Sequence, residues 1–445
     1  MPAPLKPREH ALPDPAENAP SPPSPWAWVP SLYFVQGIPY VVVMSLTVVL
    51  YKRLGVSNAD IALVTSWMYL PWVLKPLWSP WVELIRTKRL WIVSLQGVCG
   101  ALLLATAAAM RSAHFFGWSV LLFWLLAFCS ATHDIAADGF YLLGLRPQQQ
   151  AAFCGVRSTC YRLAMVTGQG LLVVLAGLLE SSLGQVARAW SLSFALLGAL
   201  LLGLFLYHCW VLPRPAADRA ETGPSPEQPK DFFLPFTAFF RRPDIARVLL
   251  FLLFYRLAES QLVKMVSPFL LDSRAKGGLG LSTAEVGLVY GTVGVICLTA
   301  GGLLGGYVIS RQGLRFWLWP MVCAIHLPDL VFVYLSQVQP SSLALVSALV
   351  GLEQFGYGFG FTAYMMFMIQ SAQGPFQTAH YALCTGLMAL GMMIPGMWSG
   401  ALADAFGYRS FFLWVMASTL PGFGVAALVC GQPGFEKLKS MRAGK

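Results

Sequence analysis

Asp134 and Asp138 stand four residues apart in "SATHDIAADGF" (130–140), inside the apolar run 117–145. At about 100° per residue of α-helix they share one face with Tyr141. A carboxylate at the centre of a membrane helix costs roughly 2.5–3.5 kcal/mol on insertion scales, so acids kept there face a water-filled cavity or a partner. Acids so placed can carry a proton or pair with a cation. His133 lies about 100° round the helix from Asp134, toward a neighbouring helix. The next run, "GVRSTCYRLAMVTGQG" (155–170), sets Ser158, Arg162, Met165 and Gln169 on one stripe and Arg157 with Tyr161 on another. Either Arg162 or Arg157 can oppose an aspartate. Further on, Arg256, Glu259, Ser260 and Lys264 fall within one arc of 251–269, and Glu353 and Gln354 lie in the run 351–370. In "FVQGIPYVVV" (34–43), Gln36, Gly37 and Pro39 are expected to break a helical ladder beside a cavity, with Tyr40 next in the chain. For Asp329 a pathway role and a pairing role fit equally. His326 and His380 read as packed histidines, and Asp404 reads as the partner of Arg409.

The elements that position these groups follow from composition. The 445 residues are 57% hydrophobic and only 11% charged, with mean hydropathy +0.63. That is the composition of a polytopic membrane protein. Runs of about 20 apolar residues can cross a bilayer. Twelve are expected, at 28–51, 59–84, 90–110, 117–144, 151–179, 187–212, 244–271, 282–310, 316–336, 341–370, 378–403 and 409–430. A disordered cytosolic tail (1–27) precedes them, and a second cytosolic tail (431–445) follows. The polar, Pro-rich stretch 213–243 is a cytosolic linker that divides the chain into halves 28–212 and 244–430. With both termini inside, cytosolic segments hold seventeen Lys and Arg and outer segments seven, which favours that orientation.

The net charge of +10 sits in short loops, not on a basic face with interleaved aromatics, and this excludes nucleic acid as a partner. The nine cysteines form no CxxC pair, so no metal and no cofactor is expected.

"ELIRTKR" (83–89) follows the second run and "GGYVISRQGLR" (305–315) follows the eighth. This faint repeat fits two six-span halves on the major facilitator plan. Other stretches carry a closer resemblance. "SATHDIAADGF" resembles the Ser-Ala-Thr-Gln-Asp-Ile-x-x-Asp-Ala-Trp stretch of AmpG-type muropeptide permeases and related acetyl-CoA transporters. "FVQGIPYVVV", "KPLWSPWVE" (75–83), "YRLAMVTGQG" (161–170), "FYRLAES" (254–260), "LEQFGYGFGFTAY" (352–364), "YALCTGLMALG" (381–391) and "SGALADAFGYRSFF" (399–412) are similar to family stretches in the same order.

The resemblance implies an all-α membrane protein with the major facilitator fold and 12 transmembrane helices in two six-helix halves. It also implies proton-linked import of a muropeptide, N-acetylglucosaminyl-anhydro-N-acetylmuramyl peptide, across the bacterial cytoplasmic membrane. Asp134, Asp138, Lys75, Arg162 and Glu353 fall on matching positions, and Glu259 stands where the family has Asp. His133 replaces Gln, Gly139 replaces Ala, Gln354 replaces Asn and Glu83 replaces Asp. With those departures a related anhydro-muramyl sugar or glycoconjugate also fits.

The expected roles are then these. Asp134, Asp138, His133, Glu353 and Glu259 couple protons. Gln36, Tyr40, Tyr161, Arg162, Gln169, Arg256 and Gln354 bind the sugar or sugar-peptide substrate. Lys75, Glu83, Arg86, Arg89 and Arg311 gate the path. The chain is expected to be no enzyme and to work as a monomer among membrane lipids. The competing readings are an exporter of small molecules, or an intramembrane enzyme or sensor on lipid-linked sugars.

Overall fold

A computed structural model describes residues 23–215, 218, 234–374 and 376–430, apart from a few side chains that include Glu83. Most of the expected tails and linker lie outside the described residues. Those residues are helical, with no strand among them. In chain order the helices are α1 (Pro25–Arg53), α2 (Asn58–Trp67), α3 (Leu70–Leu84), α4 (Lys88–Ala109), α5 (Phe115–Gly144), α6 (Gly155–Leu183) and α7 (Val186–Val211). They continue as α8 (Leu234–Phe240), α9 (Ile245–Phe254), α10 (Leu257–Leu271), α11 (Thr283–Gln312), α12 (Leu314–Val338), α13 (Leu343–Ser371), α14 (Gln377–Ala417) and α15 (Leu420–Cys430).

Among the described residues, nine helices are long and apolar enough to cross a membrane, where twelve runs were expected. The difference lies in interruptions. The run 59–84 is broken after Trp67, and α3 restarts with Pro71 in its first turn. Proline has no N–H to give the preceding turn, so it suits a helix start and not an interior. The run 244–271 is broken at Tyr255–Arg256. In α14 the chain turns at Gly407, whose φ of 71° is a left-handed conformation that favours glycine. The stretch 213–243 contains a helix, α8. Its Phe239 is buried, with the ring 5.3 Å from that of His380.

Three membrane helices carry a wider π-helical turn, at Val42–Leu46 in α1, Val166–Leu172 in α6 and Gly287–Gly294 in α11. Such turns recur at functional sites. The last two pack on each other. A Cβ at Gly291 would overlap the backbone oxygen of Gln169, and a Cβ at Gly400 would overlap that of Asn58. Glycine at these two points lets α6 meet α11 and α2 meet α14 backbone to backbone.

Candidate functional site: buried charges between the helices

The chain runs back and forth between two ends. One end, here the near end, holds Pro25 and Cys430; the other, the far end, holds the turns after Arg53, Leu183, Leu271 and Val338. The acids of α5 are paired. Asp138 lies 2.7 Å from Nη2 of Arg157 and accepts from the Tyr33 hydroxyl at 3.5 Å. Asp134 accepts from Trp72 Nε1 at 3.1 Å and has Lys75 Nζ at 3.7 Å. Of the two arginines open to this role, Arg157 takes it. Arg162 instead reaches across to α11, where a Cβ on Gly302 would sit 3.2 Å from its Nη2. Exposure rises along α5, from 15% for the Asp134 side chain to 42% for Asp138. The site is therefore open toward the near end.

Tyr40 packs edge-on to Trp72, with ring centres 5.3 Å apart, and lies 6.2 Å from the ring of Tyr161. Gln36 is buried beside them, with Oε1 lacking a hydrogen-bond partner. Arg256 donates to the Tyr357 hydroxyl at 2.5 Å and stacks over Phe361. Gln354 donates to Glu353 at 3.0 Å. Glu259, Glu353 and Asp329 converge from α10, α13 and α12. Lys264, fully buried, donates to Thr65 of α2 at 3.0 Å.

His133 turns away from the aspartates. Gln96 donates to its Nε2 at 3.1 Å, His208 Nδ1 donates to Gln96 Oε1 at 2.8 Å, and Ser31 donates to His208 Nε2 at 2.9 Å. This chain ties α5, α4, α7 and α1 together. Replacing Gln96 with Leu leaves both imidazoles short of a partner at once. An unsatisfied buried group costs about 1–3 kcal/mol. Gln96→Leu is therefore expected to lower the unfolding temperature in detergent clearly, and a midpoint equal to wild type would refute the account.

The gating candidates separate. Arg89 caps the end of α7, donating to the carbonyls of Cys209 and Leu212 at 2.5 and 3.2 Å. Arg86 has a left-handed φ of 65° in an exposed turn, and Arg311 lies over the Tyr307 ring at 5.3 Å. The stem of Lys88 crosses Gly139, its Cε 2.5 Å from where a Cβ would sit. Gln169 lends its backbone to the contact with Gly291.

The far end carries bonds between the N-terminal and C-terminal portions of the chain. Lys52 pairs with Asp272 at 2.5 Å, and Tyr408 donates to the same carboxylate at 2.7 Å. Asn58 accepts from Lys52 at 2.8 Å and donates to Asp404 at 2.8 Å. Glu180 joins Arg53, Trp190 and Thr283. The expected Asp404–Arg409 pair does not form. Gly407 turns the chain between them, and Arg409 donates to the Ser336 carbonyl at 3.3 Å instead.

Sequence reading missed Trp72, although it stands one turn from Lys75 on the same face. It also missed the far-end bonds, whose members are unremarkable polar residues near the ends of their runs.

Residues 31–394 match the sequence model of the Major Facilitator Superfamily. The chain is 26% identical to the anhydromuropeptide permease of Escherichia coli over 412 residues, covering 90% of this chain and 78% of the permease. It is 25% identical to the putative transporter AmpG 4 of Rickettsia conorii over 402 residues, covering 88% and 92%. Among solved structures it is similar to the nucleoside transporter NupG, with TM-score 0.68 at 16% identity, covering 90% of this chain and 98% of that one.

Proposed function

The chain belongs to the Major Facilitator Superfamily, whose members move small molecules across membranes by alternating access and not by catalysis, and from that premise we propose that it is a proton-coupled importer of a muropeptide or anhydro-muramyl sugar. It is an all-α, multi-pass membrane protein and a secondary transporter of small molecules. The finer reading has twelve spans in two six-helix halves, both termini in the cytosol, in a bacterial cytoplasmic membrane. The interrupted runs 59–84 and 244–271 then each count as one span, and α14 with α15 as two.

The observation that carries the reading is one neighbourhood of aromatic rings and donors drawn from distant parts of the chain. Tyr40 packs with Trp72 and Tyr161, Arg256 bonds Tyr357, and Arg256 and Tyr357 lie within electrostatic reach of Tyr40. Aromatic faces suit the apolar faces of sugar rings, and a guanidinium suits the carboxylates of a peptide stem. Gln36, Arg162, Gln169 and Gln354 complete the substrate set. Asp134, Asp138, Glu259 and Glu353 are the candidate coupling acids. His133 belongs to the neutral chain through Gln96, which favours a structural role for it. With the far end bonded shut and Asp138 exposed toward the near end, the molecule stands in its inward-open state.

The test uses purified protein in vesicles. Labelled N-acetylglucosaminyl-anhydro-N-acetylmuramyl peptide is expected to accumulate against its gradient when the outside is acidic, and to equilibrate only when the pH gradient is collapsed. Accumulation indifferent to the gradient would remove proton coupling. No movement of label in either direction would remove the substrate class.

A further inference from the structure

Asp329 is the buried acid to which neither helical pattern nor family resemblance gives a role. It sits where Pro328 interrupts α12 with a 3-10 turn, Leu327–Asp329. Glu259 and Glu353 aim at the same point. One carboxylate oxygen from each of the three lies within 4.8 Å of the others, and the residues are only 1–2% exposed.

Proximity is the first observation; the lack of partners is the second. Both oxygens of Asp329, and Oε2 of Glu259, are buried with no hydrogen-bond partner. Glu353 accepts from Gln354, its neighbour in the chain. A buried acceptor without a donor costs about 1–3 kcal/mol, and more when it is charged. Three carboxylates in one dry space cannot all stay ionised without a counter-charge.

Counter-charges nearby are few. Arg256 stands three residues before Glu259 on the same side of the chain and is engaged with Tyr357. Lys264 is engaged with Thr65. His326 lies one turn before Asp329, and the remaining titratable groups facing the triad are Tyr69, Tyr290 and Tyr357. Arg256 can offset one charge, which leaves the triad an excess of negative charge that a bound cation reduces. Asp134 and Asp138, by contrast, each have a basic partner.

We propose that Glu259, Asp329 and Glu353 together form the binding site of the coupling cation, a small hard monovalent ion, proton or sodium. The proposal rests on the transport reading and moves the coupling site from α5 to the C-terminal half. An all-oxygen ligand set with no thiol or imidazole selects hard cations. A proton would turn an orphaned acceptor into a donor. Sodium would take one oxygen from each carboxylate.

The test is thermal unfolding of the full chain in detergent, comparing wild type with Asp329→Asn, Glu353→Gln and the control Asp244→Asn, which removes a surface acid paired with Arg242. Two titrations run at constant ionic strength: from about pH 8 to about pH 5.5 in choline chloride, and choline replaced by sodium at the higher pH. An acid that holds its proton more tightly in the folded than in the unfolded state adds stability as pH falls. Sodium bound only to the folded state adds stability by mass action.

Wild type is expected to gain at least about 2 °C over both triad variants along one of the two axes. The acid axis identifies the proton and the sodium axis identifies sodium, while Asp244→Asn follows wild type. Triad variants that follow wild type on both axes would overturn the proposal, as would a control that loses as much as they do. The two triad variants are independent, so one that fails to run as a single species on gel filtration leaves the other to decide. If both fail, wild type and Asp244→Asn must still each gain at least about 2 °C along one of the two axes, and no gain overturns the site. Substrate plays no part in this readout. A chain that shows the shift but moves no muropeptide would contradict the substrate reading and leave the cation site standing.

Discussion

Gly291→Ala is expected to cut uptake by roughly 5–150-fold, the range set by an overpacking cost of about 1–3 kcal/mol on one state of the cycle. The added Cβ meets the backbone oxygen of Gln169. A side chain can rotate away from such a clash, but a backbone carbonyl held in a helix cannot. The contact lies between α6 and α11, where their π-helical turns cross. Each of these helices can therefore form while the far end fails to close. The measurement pairs vesicle uptake with gel filtration of the same preparation. Gly203→Ala serves as the control, because nothing lies within 4 Å of a Cβ there. Wild-type uptake by Gly291→Ala would show that this close approach is not needed in the cycle.

Asp272→Ala is expected to open the far end outright. Asp272 and Lys52 are only 12–13% exposed at the side chain, and Tyr408 donates to the same carboxylate. Removing one member of a buried pair costs about 3–5 kcal/mol, because the other charge is left uncompensated. Here the loss falls only on the closed far end, since Lys52 regains water when that end opens. The population shifts roughly a hundredfold or more toward the open form. Spin labels at positions 60 and 276, both exposed at the far end, should report a longer distance in the variant. Unchanged distances would mean that the Asn58–Asp404 and Glu180–Thr283 bonds hold the end shut without this pair.

The long apolar runs were legible because a bilayer demands them, and among the described residues nine helices are long and apolar enough to cross one. The breaks at Trp67 and Tyr255 were not, because hydropathy averages over a turn that departs from the helix. The shared face of Asp134 and Asp138 was legible from spacing alone. Which arginine meets it was not: Arg157 and Arg162 are both on α6, and only the packing of α5 against α6 and α1 decides. His133 was correctly turned off the aspartate face by its 100° offset, but its partners Gln96 and His208 come from helices far away in sequence. The Lys52–Asp272 and Asn58–Asp404 bonds join residues more than 200 positions apart, so no local pattern could announce them.

The pairing of the α5 acids also makes them electrically silent. A potential of 100 mV does about 2.3 kcal/mol of work on each elementary charge carried across the bilayer. On Asp138 with Arg157, or Asp134 with Lys75, the pulls on the two members oppose and nearly cancel as each pair moves together. A membrane voltage thus finds little grip on these two pairs. Neutralising Arg157 alone would change that, exposing one negative charge to the field and making the turnover of an otherwise indifferent helix depend on voltage.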